Sequence, residues 1–286
     1  MNKEFLDLAE QLKSSVSCTV RLNELMSGHT SFKIGGPADI LVLPESIEQL
    51  REVLKVVKET VVPLTLLGNG SNVLVRDKGI RGIVIKLGNM LRHFYEAEDL
   101  LVFGSGYSLA LASYKAMECG KTGMEFAVGI PGSIGGAVYM NAGAYDGEMQ
   151  NIVNCVKVMD LQGNERVLTA EELNFGYRKT SLQNSGLIVT EVTLKMPSGN
   201  KDEIKSKMDD FSHRRISKQP LEMPSAGSMF KRPPGYFAGT LIDQAGLKGY
   251  TVGGAQISTK HAGFVVNVGG ATAADVLQLI KDVPVS

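Results

Sequence analysis

The sequence predicts an α+β protein, and three observations carry that reading. Short apolar runs of strand character alternate with segments of helical spacing, glycine-rich turns separate them, and the texture changes after Pro197, where a charged segment begins. A chain of 286 residues is long enough for more than one packed core. Thirty Lys plus Arg balance thirty Asp plus Glu. A net charge of zero argues against a sequence-independent grip on nucleic acid or on an anionic membrane. With 8 Tyr, 10 Phe and no Trp, all scattered, no base-stacking platform is evident either.

Taken in order, Phe5, Leu6, Leu8, Ala9 and Leu12 suit one face of an opening helix. Ser46 and Gln49 form a capping box ahead of the stripe Ile47, Leu50, Val53, Leu54 and Val57. Apolar runs at 63–67, 83–87 and 100–103 read as strands, and 108–117 reads as a helix stopped by Gly120. Strands resume at 152–159 and 187–196. The charged segment through Lys218 keeps Ile204, Met208 and Phe211 on one face and ends at Pro220. A helix near 237–245, strands near 256–257 and 264–268, and a last helix from about Thr272 to Lys281 complete the layout. Domain boundaries are expected near residues 90 and 200.

No run approaches the ~18 apolar residues of a membrane span, and the opening residues carry acids where a signal peptide needs an apolar stretch. A soluble, cytoplasmic protein is the expectation. Cys18, Cys119 and Cys155 form no CxxC, and no pair of the four His has metal-ligand spacing; three reduced thiols and no metal are expected.

The 32 glycines, well above the usual share of about 7%, carry the functional signal. They concentrate in Gly35-Gly36, in Gly68-Asn69-Gly70-Ser71-Asn72, and in Gly129-Ile130-Pro131-Gly132-Ser133-Ile134-Gly135-Gly136, which runs on to Asn141-Ala142-Gly143-Ala144-Tyr145. Segments without Cβ atoms let backbone N–H groups converge on an anion, and a diphosphate is the natural guest. Familiar nucleotide motifs fail: Lys115 stands where a Walker loop before Gly120-Lys121-Thr122 needs Gly, and neither Gly104-x-Gly106 nor Gly68-x-Gly70 completes a Rossmann fingerprint. A large dinucleotide held by another fold is indicated. Two further polar clusters, Gly176 to Ser181 and Ser225 to Arg232, stand between apolar stretches.

In this order the segments resemble the UDP-N-acetylenolpyruvoylglucosamine reductase family, in its shorter subclass, from about Thr30 to Asp282. The pieces are Ser31-Phe32-Lys33-Ile34-Gly35-Gly36, the two glycine loops, Gly176-Tyr177-Arg178, Ser225-Ala226-Gly227-Ser228-Met229-Phe230-Lys231 and Lys260-His261-Ala262-Gly263-Phe264. The resemblance implies an FAD-binding fold of the vanillyl-alcohol-oxidase type in two subdomains, 1–90 and 91–199, with a C-terminal α+β substrate domain at 200–286. It implies non-covalent FAD held by Gly35, Gly36, Gly68, Asn69, Gly70, Ser71, Asn72, Gly129, Pro131, Gly132, Ser133, Gly135 and Gly136. NADPH is the implied co-substrate and a UDP-sugar the substrate of a monomeric enzyme. Arg178 would stabilise the enolate, Ser228 would protonate it, and Tyr177, Lys218, Lys231 and His261 would contact substrate.

The family's further C-terminal segment, with a catalytic Glu, finds no counterpart: after Lys281-Asp282 the sequence given closes with Val283-Pro284-Val285-Ser286, and its last Glu is Glu222. Either the chain is a truncated form or another acid substitutes, and two other readings stay open beside the reductase. One is a flavin-binding protein with weakened or lost catalysis; the other is an oxygen-using FAD oxidase of the same superfamily.

Overall fold

A computed structural model of the chain describes residues 3–88 and 90–283. Helix α1 (Lys3–Ser15) buries Leu8, Ala9 and Leu12 as its spacing predicts, while Leu6 is left exposed. Strand β1 (Thr19–Leu25) alternates in exposure, as an edge strand with one wet face does. Strand β2 (Pro37–Leu43) buries five consecutive residues, Ala38 to Val42 with Asp39 among them, and so shows no alternation of wet and dry faces. Helix α2 (Ile47–Lys58) starts where expected: the Ser46 hydroxyl accepts the Gln49 N–H at 3.2 Å, and Leu50, Val53, Leu54, Val56 and Val57 form its buried stripe. Strands β3 (Leu64–Leu67) and β4 (Ile80–Lys86) pair in parallel, Leu64 opposite Ile83, and the sheet has the order β1-β2-β4-β3.

The next stretch builds a second sheet. Strands β5 (Phe94–Ala97) and β6 (Leu100–Gly104) form a hairpin, followed by α3 (Leu109–Glu118), which ends at Gly120 with φ +68°. A short helix α4 (Ile134–Tyr139) and a small hairpin, β7 (Gly143–Ala144) with β8 (Gly147–Glu148), come next. Strands β9 (Val153–Met159), β10 (Glu165–Thr169) and β11 (Ile188–Lys195) complete an antiparallel sheet of order β10-β9-β11-β6-β5. Helix α5 (Lys201–Lys218) is the charged segment. Strand β12 (Ser225–Ser228), helix α6 (Ala238–Gln244), strands β13 (Thr251–Val252), β14 (Ala255–Ile257) and β15 (Phe264–Asn267), and helix α7 (Ala273–Asp282) follow.

The chain divides into two compact units. Unit 1 comprises 1–21, 40–69 and 82–213; unit 2 comprises 22–39, 70–81 and 214–286. These differ from the three consecutive spans, 1–90, 91–199 and 200–286, that the sequence suggests. One reason is that Ile204, Met208 and Phe211 of α5 pack with Val128, Met117 and Tyr145, so most of the charged helix belongs to unit 1. The main core of unit 1 gathers Phe103, Ile134, Val156, Val158, Val192 and Leu194 between the five-stranded sheet and α3 and α4.

Unit 2 closes over sequence-distant segments. Phe32 and Ile34 share a core with Ala255, Ile257, Val265, Val276 and Leu279. The Ser31 hydroxyl donates to the Ser225 carbonyl at 2.6 Å, and the Asn267 amide donates to the Phe32 carbonyl at 3.2 Å. Asp77 accepts the N–H groups of Ala273 and Ala274 at 2.7 and 2.9 Å, a negative charge on two orphan donors at the start of α7. Thr272 and Asp275 add a reciprocal capping box on the same turn. Asp77→Ala is expected to destabilise unit 2 by about 1–2 kcal/mol. Urea titration should show a lower midpoint at unchanged slope.

Candidate active site

In unit 1 two of the expected glycine loops meet. A Cβ placed on Gly68, just past β3, would lie 3.3 Å from the Ser133 hydroxyl. Ser133 is buried and caps α4, its Oγ accepting the Gly136 N–H at 3.3 Å. Gly135 is pressed against Ser105, to whose carbonyl its N–H donates at 2.9 Å. Pro131 has no N–H to offer. Among the described residues, the amides of Gly68 and Asn69, and of Gly129, Gly132 and Ser133, have no intrachain acceptor. Backbone donors left open beside Cβ-free positions fit a phosphate group, so this stretch can hold the pyrophosphate of a dinucleotide.

Tyr177 and Arg178 form the corner of a tight turn closed by reciprocal hydrogen bonds between Gly176 and Lys179, at 2.9 and 3.1 Å. Arg178 sits at φ +55°, a left-handed conformation that costs a non-glycine residue on the order of 1–3 kcal/mol. Surrounding bonds hold it there. Its guanidinium donates to the carbonyls of Asn141 at 3.1 Å and Gly143 at 2.9 Å, and its own carbonyl accepts from Gln183 Nε2 at 3.1 Å. The cation also lies 5.5 Å from the centre of the exposed Tyr177 ring. Sequence reading missed Asn141, Glu148 and Gln183. The first lay in a noted Gly/Ala-rich run, but nothing local gave its side chain a task.

In unit 2 the glycines serve the chain itself. The Gly36 N–H donates to the Arg76 carbonyl at 3.0 Å, and a Cβ there would come within 1.9 Å of the Asp77 carbonyl oxygen. Gly35, at φ +145°, packs against the side chains of Val75 and Met26. Gly70, at φ +69°, abuts the His29 carbonyl, and its own carbonyl accepts the Ser31 N–H at 3.0 Å. The amides of Gly70 and Asn72 have no acceptor among the described residues, whereas Ser71 is engaged in the chain.

Unit 2 also brings Ser228 and His261 to one strand edge. The exposed Ser228 ends β12, and its Oγ donates to the Gly263 carbonyl at 3.4 Å. The Gly263 N–H donates in turn to His261 Nδ1 at 3.1 Å. With Nδ1 accepting, the neutral ring carries its proton on Nε2. Burial holds the His261 pKa below its ordinary value, and the Lys248 charge adds to the effect against an opposing backbone hydrogen bond. Lys218, at the end of α5, and Lys231 are exposed and form no ion pair among the described residues. No group of three or more His, Cys, Asp or Glu is gathered as metal ligands among the described residues, and no described helix is long and apolar enough to cross a membrane.

Comparison with known proteins agrees with this geometry. A family model described as "FAD binding domain" matches residues 38–169. The structure of Physcomitrella patens BBE-like 1 aligns with a TM-score of 0.50 at 17% identity, over 67% of this chain and 44% of that one, a likeness of fold alone. Fold and loops together define a flavoprotein with the FAD-binding fold of the vanillyl-alcohol-oxidase type. A second model, the C-terminal domain of UDP-N-acetylenolpyruvoylglucosamine reductase, matches residues 219–285. Enzymes of that name from Clostridium perfringens (strain SM101) and Clostridioides difficile (strain 630) are each 51% identical. They align over 98% and 91% of this chain and over 91% and 86% of their own lengths. The crystal structure of UDP-N-acetylenolpyruvylglucosamine reductase from Thermus caldophilus superimposes with a TM-score of 0.81 at 40% identity, covering 93% of this chain and 94% of that one. The chain belongs to the UDP-N-acetylenolpyruvoylglucosamine reductase family.

His261 gives a pH prediction. The unfolded chain takes up a proton near the ordinary value of 6.5, while the folded ring resists it. Stability from this residue is therefore full above about 6.5 and is lost as the pH falls below it. Thermal melts between pH 8 and pH 5 should show a steeper acid-side loss for the parent than for His261→Gln.

Proposed function

We infer that this chain reduces the enolpyruvyl group of UDP-N-acetyl-3-O-(1-carboxyvinyl)-glucosamine to give UDP-N-acetylmuramate, a step in making peptidoglycan precursors, with NADPH as the source of hydride. The observation that carries the reading is 51% identity over 98% of the chain to a reductase of that name. The substrates are soluble nucleotides, and we place the enzyme in the cytoplasm as a monomer.

FAD, when bound, supplies the redox relay between NADPH and the enolpyruvyl double bond. The residues proposed to hold it are Gly35, Gly36, Gly68, Asn69, Gly70, Ser71, Asn72, Gly129, Pro131, Gly132, Ser133, Gly135 and Gly136. The open amides are the direct donors, and Gly35, Gly36 and Gly135 act by fixing the loops that carry them. The functional division expected from sequence, flavin on 1–199 and substrate cover on 200–286, is part of the proposal.

Arg178 sets a planar cation against the substrate carboxylate, where charge accumulates as the enolate forms. Its two bonds to the Asn141 and Gly143 carbonyls orient the guanidinium beforehand, so little reorganisation accompanies the charge. The Ser228 hydroxyl gives its proton to the enolate carbon. A serine is a weak acid, and it can do this because an enolate is a strong base; the 3.4 Å bond to the Gly263 carbonyl is long and readily released. Tyr177, Lys218, Lys231 and His261 complete the substrate contacts, the lysines suiting a diphosphate and the His261 Nε2–H a neutral acceptor.

Rapid mixing tests the reading. Purified protein should be yellow, should bleach with NADPH, and should recover its colour on adding the enolpyruvyl sugar nucleotide. Ser228→Ala should slow that recovery by about 10²–10⁴-fold with bleaching retained. Colourless protein that takes up no FAD would overturn the proposal, and bleaching with no substrate-driven recovery would leave a flavin-binding protein without this activity.

A further inference from the structure

Arg178 is anchored at both ends by one residue that the reaction does not itself use. Asn141 has no exposed surface, and its backbone sits at φ +41°, a conformation that Asn tolerates better than most residues. Its side-chain N–H groups donate to the Gly176 carbonyl at 3.1 Å and to Glu148 Oε2 at 3.0 Å. Its Oδ1 accepts the Gln150 N–H at 3.0 Å. Its backbone carbonyl accepts the Arg178 guanidinium at 3.1 Å. The amide can face only one way, because a carboxylate and a carbonyl only accept and a backbone N–H only donates. Asn141 therefore grips the residue at which the Tyr177-Arg178 turn begins as well as the tip of the Arg178 side chain.

The second attachment of the guanidinium, the Gly143 carbonyl, lies on β7. The β7–β8 hairpin is steadied by Tyr145, whose ring stacks on Phe211 of α5 at 4.4 Å. Asn141 ties this hairpin to the turn through Glu148 on β8 and Gly176. We propose that Asn141, oriented by Glu148, is a positioning residue that holds the Arg178 guanidinium at the angle needed to meet the developing negative charge. This rests on the role given to Arg178 above.

Asn141→Asp keeps the size and removes both N–H donors, setting a carboxylate against Glu148 and the Gly176 carbonyl. In the flavin-loaded enzyme at pH 8, substrate-driven recovery of colour should slow by about 10²-fold, the scale of a 1 Å misplacement. Bleaching by NADPH should stay within about twofold, because that half-reaction makes no enolate. The defect should shrink towards pH 6, where protonation of the new carboxyl restores an O–H donor. It should also be absent in an Arg178→Met background, since coupled residues are non-additive.

If the single variant does not fold, Asn141→Asp/Glu148→Gln, in which the glutamine amide can donate to the new carboxylate, is measured in its place: the Gly176 carbonyl still lacks its donor, so recovery should remain slowed with bleaching retained and the defect absent beside Arg178→Met, but without the relief towards pH 6. Calorimetric affinity for UDP-N-acetylmuramate should fall with the recovery rate, and thermal midpoints at each pH report any general loss of structure. Equal slowing of both half-reactions, an additive effect with Arg178→Met, or no slowing at all would overturn the proposal. A parent enzyme that substrate cannot reoxidise would overturn the proposed function itself, and this inference with it.

Discussion

Backbone touches backbone where Gly36 meets Asp77, and unit 2 is organised around that contact. Neither side leaves room for a Cβ: one on Gly36 would fall 1.9 Å from the Asp77 carbonyl oxygen, and one on Gly79 would fall 1.8 Å from that of Pro37. The two segments so joined also carry the atoms that fasten the rest. Asp77 holds the start of α7, Ser31 donates to Ser225, and the Phe32 carbonyl accepts from Asn267. A side chain at Gly36 would separate all of these at once, since protein interiors have no slack to absorb it.

The donors offered to an anion are neutral. Open amides at Gly68, Asn69, Gly129, Gly132 and Ser133, proposed above to hold a phosphate, would recognise it by direction rather than by net charge. That accords with a chain whose acidic and basic residues balance. Arg178 carries a fixed positive charge and sits in a backbone conformation that arginine resists. Strain of this kind persists only where neighbours over-determine it. Here the neighbours are the carbonyls of Asn141 and Gly143, the Gln183 amide and the closed turn from Gly176 to Lys179.

Unit 2 solves a different problem around Ser228. Its hydroxyl and the His261 ring are not bonded to each other; both engage Gly263, one at its carbonyl and the other at its N–H. Burial disfavours the charged form of the imidazole, and with Nδ1 accepting from Gly263 the other nitrogen is the donor of the neutral ring. No general base is thereby set on Ser228, which suits the proton-giving role proposed for it rather than that of an attacking hydroxyl.

Much of this was legible in the sequence. The helix caps at Ser46 and Thr272, the helix stop at Gly120, the strands at 64–67, 153–159 and 188–195, and the ordered glycine loops all rest on neighbours a few residues apart. The family motifs likewise named Arg178, Ser228 and His261 from short runs. Strands β2 and β12 were not read as strands, because a strand buried on both faces loses its alternation and a four-residue strand rich in Ser and Gly has little to show. Only the tertiary structure decided that α5 joins unit 1, that Gly36 faces Asp77, and that Asn141 braces Arg178 across 37 positions of chain. Local propensity is written in adjacent residues, whereas the partner of a buried amide or a missing Cβ is set by where distant segments come to lie.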